Sequence, residues 1–349
     1  MPRIAAIATA LPSHRLSQEE GLAACQKLYG EDPALKRLLR VFESSGVRER
    51  WFSFPVEYYG AERTFQERND DWIQQATRLA EPAAHRCLAE AGVEAEAIQH
   101  LLVVTTTGLA TPSLDALLAP RLKLSPACRR WPIFGLGCAG GAGALVRAAD
   151  LARNDPDVRI LVVAVELCGQ IFSPKFRTPV DVVGNALFGE GAVAVLMTGD
   201  RVAAAGHRVV GTRSHLFERT AHVMGWDFGS EGMRLRLSQE IPGLIRGPLD
   251  QEVRTFLRHL ETPREKLAHW ILHPGGRKIL DSYALVFGLS EEAQSDMRRS
   301  LAQYGNLASA SVLFVLDAVL GRRRPRPGER ALVLALGPGF GAEMLLLEG

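Results

Sequence analysis

Apolar and polar positions alternate along the chain between short apolar runs and longer amphipathic stretches. In the first half, apolar runs rich in β-branched residues predict buried strands at 4–11, 101–106, 131–136, 160–165, 192–197 and 202–212. Helical patterns predict helices over 71–91, with a kink at Pro82, and over 139–152. Ser17 and Glu20 have the spacing of a capping box, which predicts a helix running toward Tyr29.

The second half repeats this alternation. Strands are predicted at 266–272, 331–336 and 343–347, and helices at 277–287, 291–304 and 307–320. Strands alternating with helices are typical of an α/β fold with buried sheets. The halves, 1–200 and 201–349, resemble two similar α/β units. Because no Pro/Gly/Ser-rich linker separates them, we expect them to share a core.

Composition excludes several classes of protein. The formal net charge is only +2, whereas nucleic-acid binders usually carry a basic stripe. The dense basic run, Arg322–Arg324 with Arg326, is predicted to be a solvated loop, with an anion or partner site as the alternative. No run reaches the roughly 18 apolar residues of a membrane span. Five scattered cysteines without CxxC spacing argue against a disulfide framework and a zinc site, and favour a reducing cytoplasm.

Cys138 is the first candidate for chemistry. It lies in GLGCAGGAGAL, between a predicted strand and a predicted helix. A sulfur at a helix N-terminus lies near unpaired N–H groups and the positive end of the dipole, which favour the thiolate. The surrounding glycines permit a tight turn and close approach of a substrate or a neighbouring backbone. The alternative is a buried structural cysteine.

His273 and Asn306 are the other two candidates. An apolar strand delivers His273 to its end, and Pro274, Gly275 and Gly276 then turn the chain into a helix. An imidazole there can accept a thiol proton or donate to a developing oxyanion. Asn306, in YGNLASAS, precedes a predicted helix and is either an ordinary N-cap or a donor to an enolate oxygen. Each of the three residues precedes a helix, which is consistent with one nucleophilic site.

Short motifs in order along nearly the whole chain resemble the type III polyketide synthases, the chalcone synthase-like branch of the thiolase superfamily. They are TTTGLATPS at 105–113, GCAGGAGAL at 137–145, GNALFGEGA at 184–192, IPGLI at 241–245, HPGGRKILD at 273–281, YGNLASASVLFVLD at 304–317 and GPGFGAE at 337–343. The resemblance implies a five-layered αβαβα thiolase-like fold of two pseudo-equivalent halves, assembled as a homodimer.

The same resemblance implies a reaction. Cys138 would accept a starter acyl group from coenzyme A, and His273 and Asn306 would stabilise the enolate left when malonyl-CoA loses CO2. His273 as an imidazolium would also keep Cys138 a thiolate. The substrates would be acyl-CoA and malonyl-CoA, with no metal and no redox cofactor. The enzyme would be an acyltransferase.

Pocket and coenzyme A residues follow from the motif matches. Phe188 would be an aromatic gate between the coenzyme A tunnel and the cavity. The cavity would be lined by Thr107 of the first motif and by five residues that differ from the plant pattern. These five are Cys168, Ile171, Trp226, Leu235 and Ala308. Arg37 and Arg40, with Gly275 and Gly276, would contact coenzyme A, although Ser44 replaces a lysine of the family. Core packing is the alternative for Phe188, and a solvated helix face for the arginines.

The stretch HVMGWDFGSEGMRLRLSQEIPGLI is similar to bacterial alkylpyrone and alkylresorcinol synthases, which use fatty acyl-CoA starters. The rival interpretations are a ketoacyl-ACP synthase III-like single condensation and a non-catalytic synthase-like subunit. The former commonly carries an HQAN-like sequence where this chain has HPGG at 273–276. Thiolase, hydroxymethylglutaryl-CoA synthase and a papain-like hydrolase fit the residues less well. The starter, the number of extensions and the ring closure do not follow from the sequence.

Overall fold

A computed structural model describes all 349 residues. The strands are β1 (Arg3–Ala10), β2 (His14–Ser17), β3 (Glu49–Phe52), β4 (His100–Val104), β5 (Arg129–Ile133), β6 (Arg159–Leu167), β7 (Glu190–Thr198), β8 (His207–Leu216), β9 (Met224–Gly229), β10 (Gly232–Leu237), β11 (Leu267–Leu272), β12 (Arg330–Gly337) and β13 (Gly341–Glu348). The helices are α1 (Gln18–Tyr29), α2 (Pro33–Leu38), α3 (Val41–Ser44), α4 (Val56–Gly60), α5 (Phe65–Ala91), α6 (Leu114–Arg121), α7 (Gly140–Asn154), α8 (Pro179–Leu187), α9 (Ile241–Leu244), α10 (Asp250–His259), α11 (Arg277–Phe287), α12 (Glu291–Tyr304) and α13 (Ser311–Arg322).

Nine strands form one mixed sheet in the order β11-β12-β13-β8-β1-β7-β6-β4-β5. The last five strands of this order come from the first half of the chain and the first four from the second half. The halves meet where β1 pairs with β8 through Arg3 with Arg208 and Ile4 with His207. Because this junction is so short, the sheet consists of two sub-sheets joined at one end.

Two apolar helices, α7 and α13, lie between the sub-sheets. Helix α7 contacts β4, β6 and β7 of the first half and β8, β12 and β13 of the second, while α13 contacts α7, β1, β11 and β12. Helix α5 covers the outer face of β1, β6 and β7. The largest apolar cluster therefore includes α7, α13 and strands of both halves, which confirms the expected shared core.

The helix starts follow their local sequence. Ser17 and Glu20 form the predicted capping box of α1. A second capping box, Thr64 with Glu67, starts α5 six residues before the predicted 71. Pro82 lies inside α5 without ending it. The side-chain caps satisfy backbone N–H groups that have no partner within the helix.

Three features differ from the sequence predictions. The run 131–136, predicted as a buried strand, is the edge strand β5 with Trp131 exposed; an edge tolerates Pro132, which has no N–H. The helix predicted from 307 begins at Ser311, after a turn at 308–310. The basic run is not only a solvated loop, because Arg323 hydrogen-bonds Glu292 and Arg324 hydrogen-bonds His207.

Candidate active site

Cys138 lies in a single 3-10 turn, residues 137–139, that leads directly into α7. No side chain caps the start of α7, so its first N–H groups point toward this turn without a partner from a cap. Gly137 has φ +48, and a Cβ there would lie 2.4 Å from Pro338 Cδ. Glycine is therefore required at this position for both conformation and space.

The glycine-rich segment near the end of the chain supports the turn from behind. A Cβ on Gly337 would lie 2.2 Å from the Leu136 carbonyl oxygen and 2.7 Å from Ala139 Cβ. The backbone of Gly337 thus packs directly against the residues on both sides of Cys138. This contact gives GPGFGAE a structural role at the nucleophile.

Asn306 lies in the turn before α13, with its side chain directed at Cys138. Its amide lies close enough to the Cys138 thiol group to act to lower the pKa of that thiol. Its Oδ1 accepts from the Ala308 N–H at 2.9 Å, and its Nδ2 donates to the Gly275 carbonyl at 3.3 Å. The oxygen is used within the protein, whereas the NH2 group faces the thiol and Gly275. Asn306 therefore caps the local turn and also presents a donor.

His273 follows β11, and its backbone N–H donates to the Leu334 carbonyl at 2.9 Å. Its Nε2 would lie 3.4 Å from a Cβ placed on Gly275, the residue whose carbonyl Asn306 contacts. The ring is buried and its Nδ1 has no hydrogen-bond partner. Gly275 therefore links His273 to Asn306, and Asn306 links this pair to Cys138.

Burial opposes ionisation of both the thiol and the imidazole. It raises the pKa of Cys138 to about 12, with the nearby Glu166 adding to the shift. It lowers the pKa of His273 to about 4. Both shifts favour a neutral thiol and a neutral imidazole, which is the form of His273 that can accept a proton. The thiolate–imidazolium pair implied by the resemblance stays a prediction.

Glu166 is a buried carboxyl group that the sequence analysis missed. It accepts hydrogen bonds from the Thr106 N–H at 3.0 Å and the Thr107 hydroxyl at 2.8 Å, and a further one from the Ser309 hydroxyl. Burial raises its pKa to about 7 despite these bonds. Ser309 belongs to the second half of the chain, so Glu166 joins the two halves next to Cys138. An acidic residue ending an otherwise apolar strand was the available signal.

Phe188 is buried at the end of α8, and its segment is paired with Asn306. The Asn306 N–H donates to the Leu187 carbonyl at 2.8 Å, and the Gly189 N–H donates to the Asn306 carbonyl at 3.0 Å. The Phe188 ring lies 6.5 Å from that of Phe172. The residues on both sides of Phe188, the predicted gate, are thus hydrogen-bonded to the backbone of Asn306.

The predicted cavity residues cluster around one hairpin and one turn. Trp226 and Leu235 are cross-strand partners in the β9–β10 hairpin, and Trp226 Nε1 donates to the Thr106 hydroxyl at 3.0 Å. Cys168 and Ile171 share a buried turn after β6. Burial raises the pKa of Cys168 well above its usual value, and the nearby Glu166 and Cys138 add to the shift. The hydrogen bond from Trp226 to Thr106 connects the β9–β10 hairpin to the segment that follows β4.

Two predicted pocket residues have local structural roles. The Thr107 hydroxyl donates to Glu166 and accepts from Trp72 Nε1 at 3.1 Å and from the Leu167 N–H at 3.0 Å, so its hydrogen-bonding capacity is used within the protein. Ala308 has φ +45, in the left-handed region, and its N–H binds Asn306. Substrate contact by either residue stays a prediction.

The predicted coenzyme A residues differ in exposure: Arg37 and Arg40 lie at the surface, whereas Gly275 is partly buried and Gly276 is buried. Arg37 and Arg40 are exposed on and just after α2, and Gly275 and Gly276 precede α11. The Arg277 N–H donates to the Ser45 carbonyl at 3.2 Å, which connects the segment after Gly276 to the segment after Arg40. The contact of Arg37 and Arg40 with coenzyme A stays a prediction.

No group of three or more His, Cys, Asp or Glu side chains is arranged to hold a metal ion. None of the helices combines the length and apolar character that crossing a membrane requires.

Comparison with known proteins places this site in a family. Residues 2–201 match the model for the N-terminal domain of chalcone and stilbene synthases, and residues 209–349 match that for the C-terminal domain. The chain is 39% identical over 349 residues to the 1,3,6,8-tetrahydroxynaphthalene synthase of Streptomyces peucetius subsp. caesius, covering 99% of this chain and 92% of that one. It is 29% identical over 342 residues to the phloroglucinol synthase of Pseudomonas fluorescens, covering 97% and 96%.

The fold agrees with the sequence comparison. The crystal structure of 1,3,6,8-tetrahydroxynaphthalene synthase from Streptomyces coelicolor A3(2), a bacterial type III polyketide synthase, superimposes with a TM-score of 0.94 at 29% identity and covers 99% of both chains. A thiolase-like fold with an acyltransferase-type condensing site is therefore the class that the structure defines. The chain belongs to the chalcone and stilbene synthase family, the type III polyketide synthases.

Proposed function

We propose that this enzyme extends an acyl thioester on Cys138 by decarboxylative condensation with malonyl-CoA. The observation that carries the proposal is the convergence of Cys138, Asn306 and the Gly275–His273 segment behind Phe188. A nucleophile, a base and a neutral amide donor in one buried space are what thioester exchange and enolate stabilisation require.

The residues divide the steps between them. His273 takes the Cys138 proton as the sulfur attacks the starter thioester and the thiolate of coenzyme A leaves. Malonyl-CoA then loses CO2, and the electron pair moves to the thioester carbonyl as an enolate that accepts hydrogen bonds from Asn306 and protonated His273. The enolate carbon attacks the Cys138 thioester, forms the new C–C bond and expels the Cys138 thiolate.

For the starter, we propose a fatty acyl group and products of the alkylpyrone or alkylresorcinol type. The predicted cavity residues Cys168, Ile171, Leu235 and Ala308 are weakly polar or apolar. The neighbouring hydroxyl, that of Thr106, is already bonded to Trp226. A cavity with few free polar groups favours a hydrocarbon chain over an oxygenated one.

A second candidate is a small aromatic product built from malonyl-CoA units alone. It is favoured by the relatives of this chain, which include a 1,3,6,8-tetrahydroxynaphthalene synthase and a phloroglucinol synthase. Trp226, held across the site by Thr106, also favours it, because a large ring fixed at that place limits the room for a long chain.

The deciding experiment incubates the purified enzyme with malonyl-CoA alone and with acyl-CoAs of graded length, and identifies products by mass spectrometry. Products that retain a long acyl chain support the fatty starter; the same product with and without acyl-CoA supports the second candidate. Trp226→Gly should lengthen or redirect the products, and an unchanged profile would remove Trp226 from the pocket. Absence of both CO2 release and extension would refute the condensing function.

We further propose that the enzyme is a homodimer formed through the edge of the large sheet. Trp131 on β5 and the nearby Phe134 and Leu109 are large apolar side chains exposed on this side of the protein, and exposed patches of this kind favour association. Sedimentation equilibrium should give twice the chain mass, and Phe134→Asp should shift the protein toward monomer. A wild-type monomer at micromolar concentration would contradict this assembly.

A further inference from the structure

Arg50, on β3, is a fully buried cation with no carboxylate partner. It is 2% exposed, forms no ion pair, and its Nε has no hydrogen-bond partner. Its guanidinium lies 5.5 Å from the ring centre of Phe52 and 6.0 Å from that of Phe42. Burial lowers its pKa to about 10, so it remains protonated at neutral pH. Burying such a charge costs several kcal/mol, and the surroundings must compensate for it.

The compensation comes from the end of helix α8. Arg50 Nη1 donates to the Phe188 carbonyl at 3.1 Å and to the Asn185 carbonyl. The last carbonyls of a helix lack partners within it and carry the negative end of its dipole. Arg50 therefore satisfies the end of α8 at the residue predicted to form the gate.

The aliphatic part of Arg50 contacts the segment that carries Asn306. A Cβ on Gly305 would lie 2.9 Å from Arg50 Cγ and 3.1 Å from Cδ, and Gly305 has φ +69. On the gate side, a Cβ on Gly189 would lie 3.4 Å from Arg50 Cβ. One side chain thus packs against the glycine before Asn306 and the glycine after Phe188.

These two segments are the ones already joined by backbone hydrogen bonds through Leu187, Gly189 and Asn306. We propose that Arg50 is a positioning residue that fixes the gate at Phe188 and the amide of Asn306 relative to each other. The inference rests on the proposed condensing function, and it adds that gate geometry and enolate stabilisation are set by one buried guanidinium that touches neither substrate.

Two substitutions test this role. Arg50→Met keeps the apolar stem and removes the donors, while Arg50→Lys keeps a charge but loses the planar fork. We expect Arg50→Met to lower kcat for CO2 release from malonyl-CoA at least about tenfold with little change in KM, and to alter the distribution of product lengths. Arg50→Lys should recover part of the kcat. The control for the loss of arginine hydrogen bonds elsewhere in the protein is Arg330→Met. This substitution removes bonds to Glu348, on β13, and to Thr262, after α10.

A structural readout separates positioning from general stability. Amide hydrogen exchange at Asn306 and Gly189 should be faster in both Arg50 variants than in the Arg330→Met control. The kcat of each variant is divided by the concentration of reactive Cys138 thiol, measured by titration with iodoacetamide, so that only folded enzyme is compared. If the folded variants keep wild-type kcat, product lengths and exchange rates, the inference is overturned. If Arg50→Met fails to fold, Arg50→Lys alone decides by the same measurements. Wild-type enzyme without CO2 release would instead refute the proposed function.

Discussion

The two central helices begin in the same way but offer different chemistry. Helix α7 follows a 3-10 turn at 137–139 that carries Cys138, and α13 follows one at 308–310, just after Asn306. In the turn before α13, side chains accept hydrogen bonds from backbone N–H groups, although α13 itself has no side-chain cap. Asn306 Oδ1 accepts from the Ala308 N–H, and the Ser311 hydroxyl accepts from the Leu307 N–H at 2.7 Å. At α7 no side chain plays this role.

This difference explains how two similar halves make an asymmetric site. The uncapped start of α7 leaves N–H groups and the positive dipole end near the sulfur, where negative charge must be carried. The hydrogen bonds in the turn before α13 fix Asn306 so that its NH2 group remains to donate. One half therefore supplies the nucleophile, and the other supplies a rigid donor.

The two helix starts also touch each other. A Cβ on Gly141 would lie 2.2 Å from the Ser309 carbonyl oxygen, and one on Gly140 would lie 3.1 Å from Ser309 Cβ. The glycines after Cys138 are therefore needed for the contact between the halves. The sequence analysis assigned them to the turn and to the approach of a substrate or a neighbouring backbone.

The largest expected effect comes from removing the group at the start of α7. Cys138→Ala should abolish product formation, because no thioester can form, while CO2 release from malonyl-CoA persists through Asn306 and His273. Product mass spectrometry and release of labelled CO2 measure the two steps separately. Loss of both activities in a folded variant would show that the halves do not divide the reaction in this way.

Removing the donor at the start of α13 should have the complementary effect. Asn306→Ala should lower decarboxylation about 10²–10³-fold, the usual cost of losing one oxyanion donor, while Cys138 still accepts an acyl group. Acylation is followed by the mass of the intact protein, and decarboxylation by labelled CO2. Near-normal decarboxylation would contradict the enolate role of Asn306.

The contact between the helix starts can be tested by crowding it. Gly141→Ala should destabilise the protein by about 1–3 kcal/mol, because the added methyl group meets the Ser309 carbonyl. Gly243→Ala in α9 is the control, since its Cβ would meet nothing within 4 Å. Chemical unfolding compares the two variants. Equal unfolding free energies for Gly141→Ala and Gly243→Ala would mean that the starts of α7 and α13 can move apart without loss of stability.

The smallest effect concerns Glu166, which joins the two helix starts through Ser309. Burial raises the pKa of Glu166 in the folded protein to about 7, above the ordinary value of 4.5. The unfolded chain therefore loses this proton first, so the contribution of Glu166 to stability is full below about pH 4.5 and is lost as pH rises to about 7. Glu166→Gln should remove this decline. The unfolding free energies of the wild type and of Glu166→Gln at pH 4.5 and 7.5 measure this decline. The same change between the two pH values in both proteins would contradict the assignment.

Long periodic segments of the fold were predictable. Helices α11 and α12 have the boundaries predicted from periodicity, and β1, β6 and β12 differ from their predictions by at most two residues at either end. The hairpin that carries Trp226 was missed because its residues form no apolar run and owe their place to a tertiary hydrogen bond with Thr106.

The site was predictable where a residue type itself carries chemistry, as with Cys138 in its glycine turn. Glu166 and Arg50 were missed for a common reason. Each is a charged residue whose importance comes from burial against segments more than a hundred residues away, and no local pattern in one sequence encodes such partners.

The support that Gly337 and Pro338 give to the Cys138 turn has a consequence for synthesis. The nucleophile leaves the ribosome roughly two hundred residues before the backbone that packs behind it. A nascent chain that already contains Cys138 therefore lacks the backbone of Gly337 and Pro338 that packs against the Cys138 turn. Full thiol reactivity is expected only after residues 337 and 338 have been made and have packed against the turn.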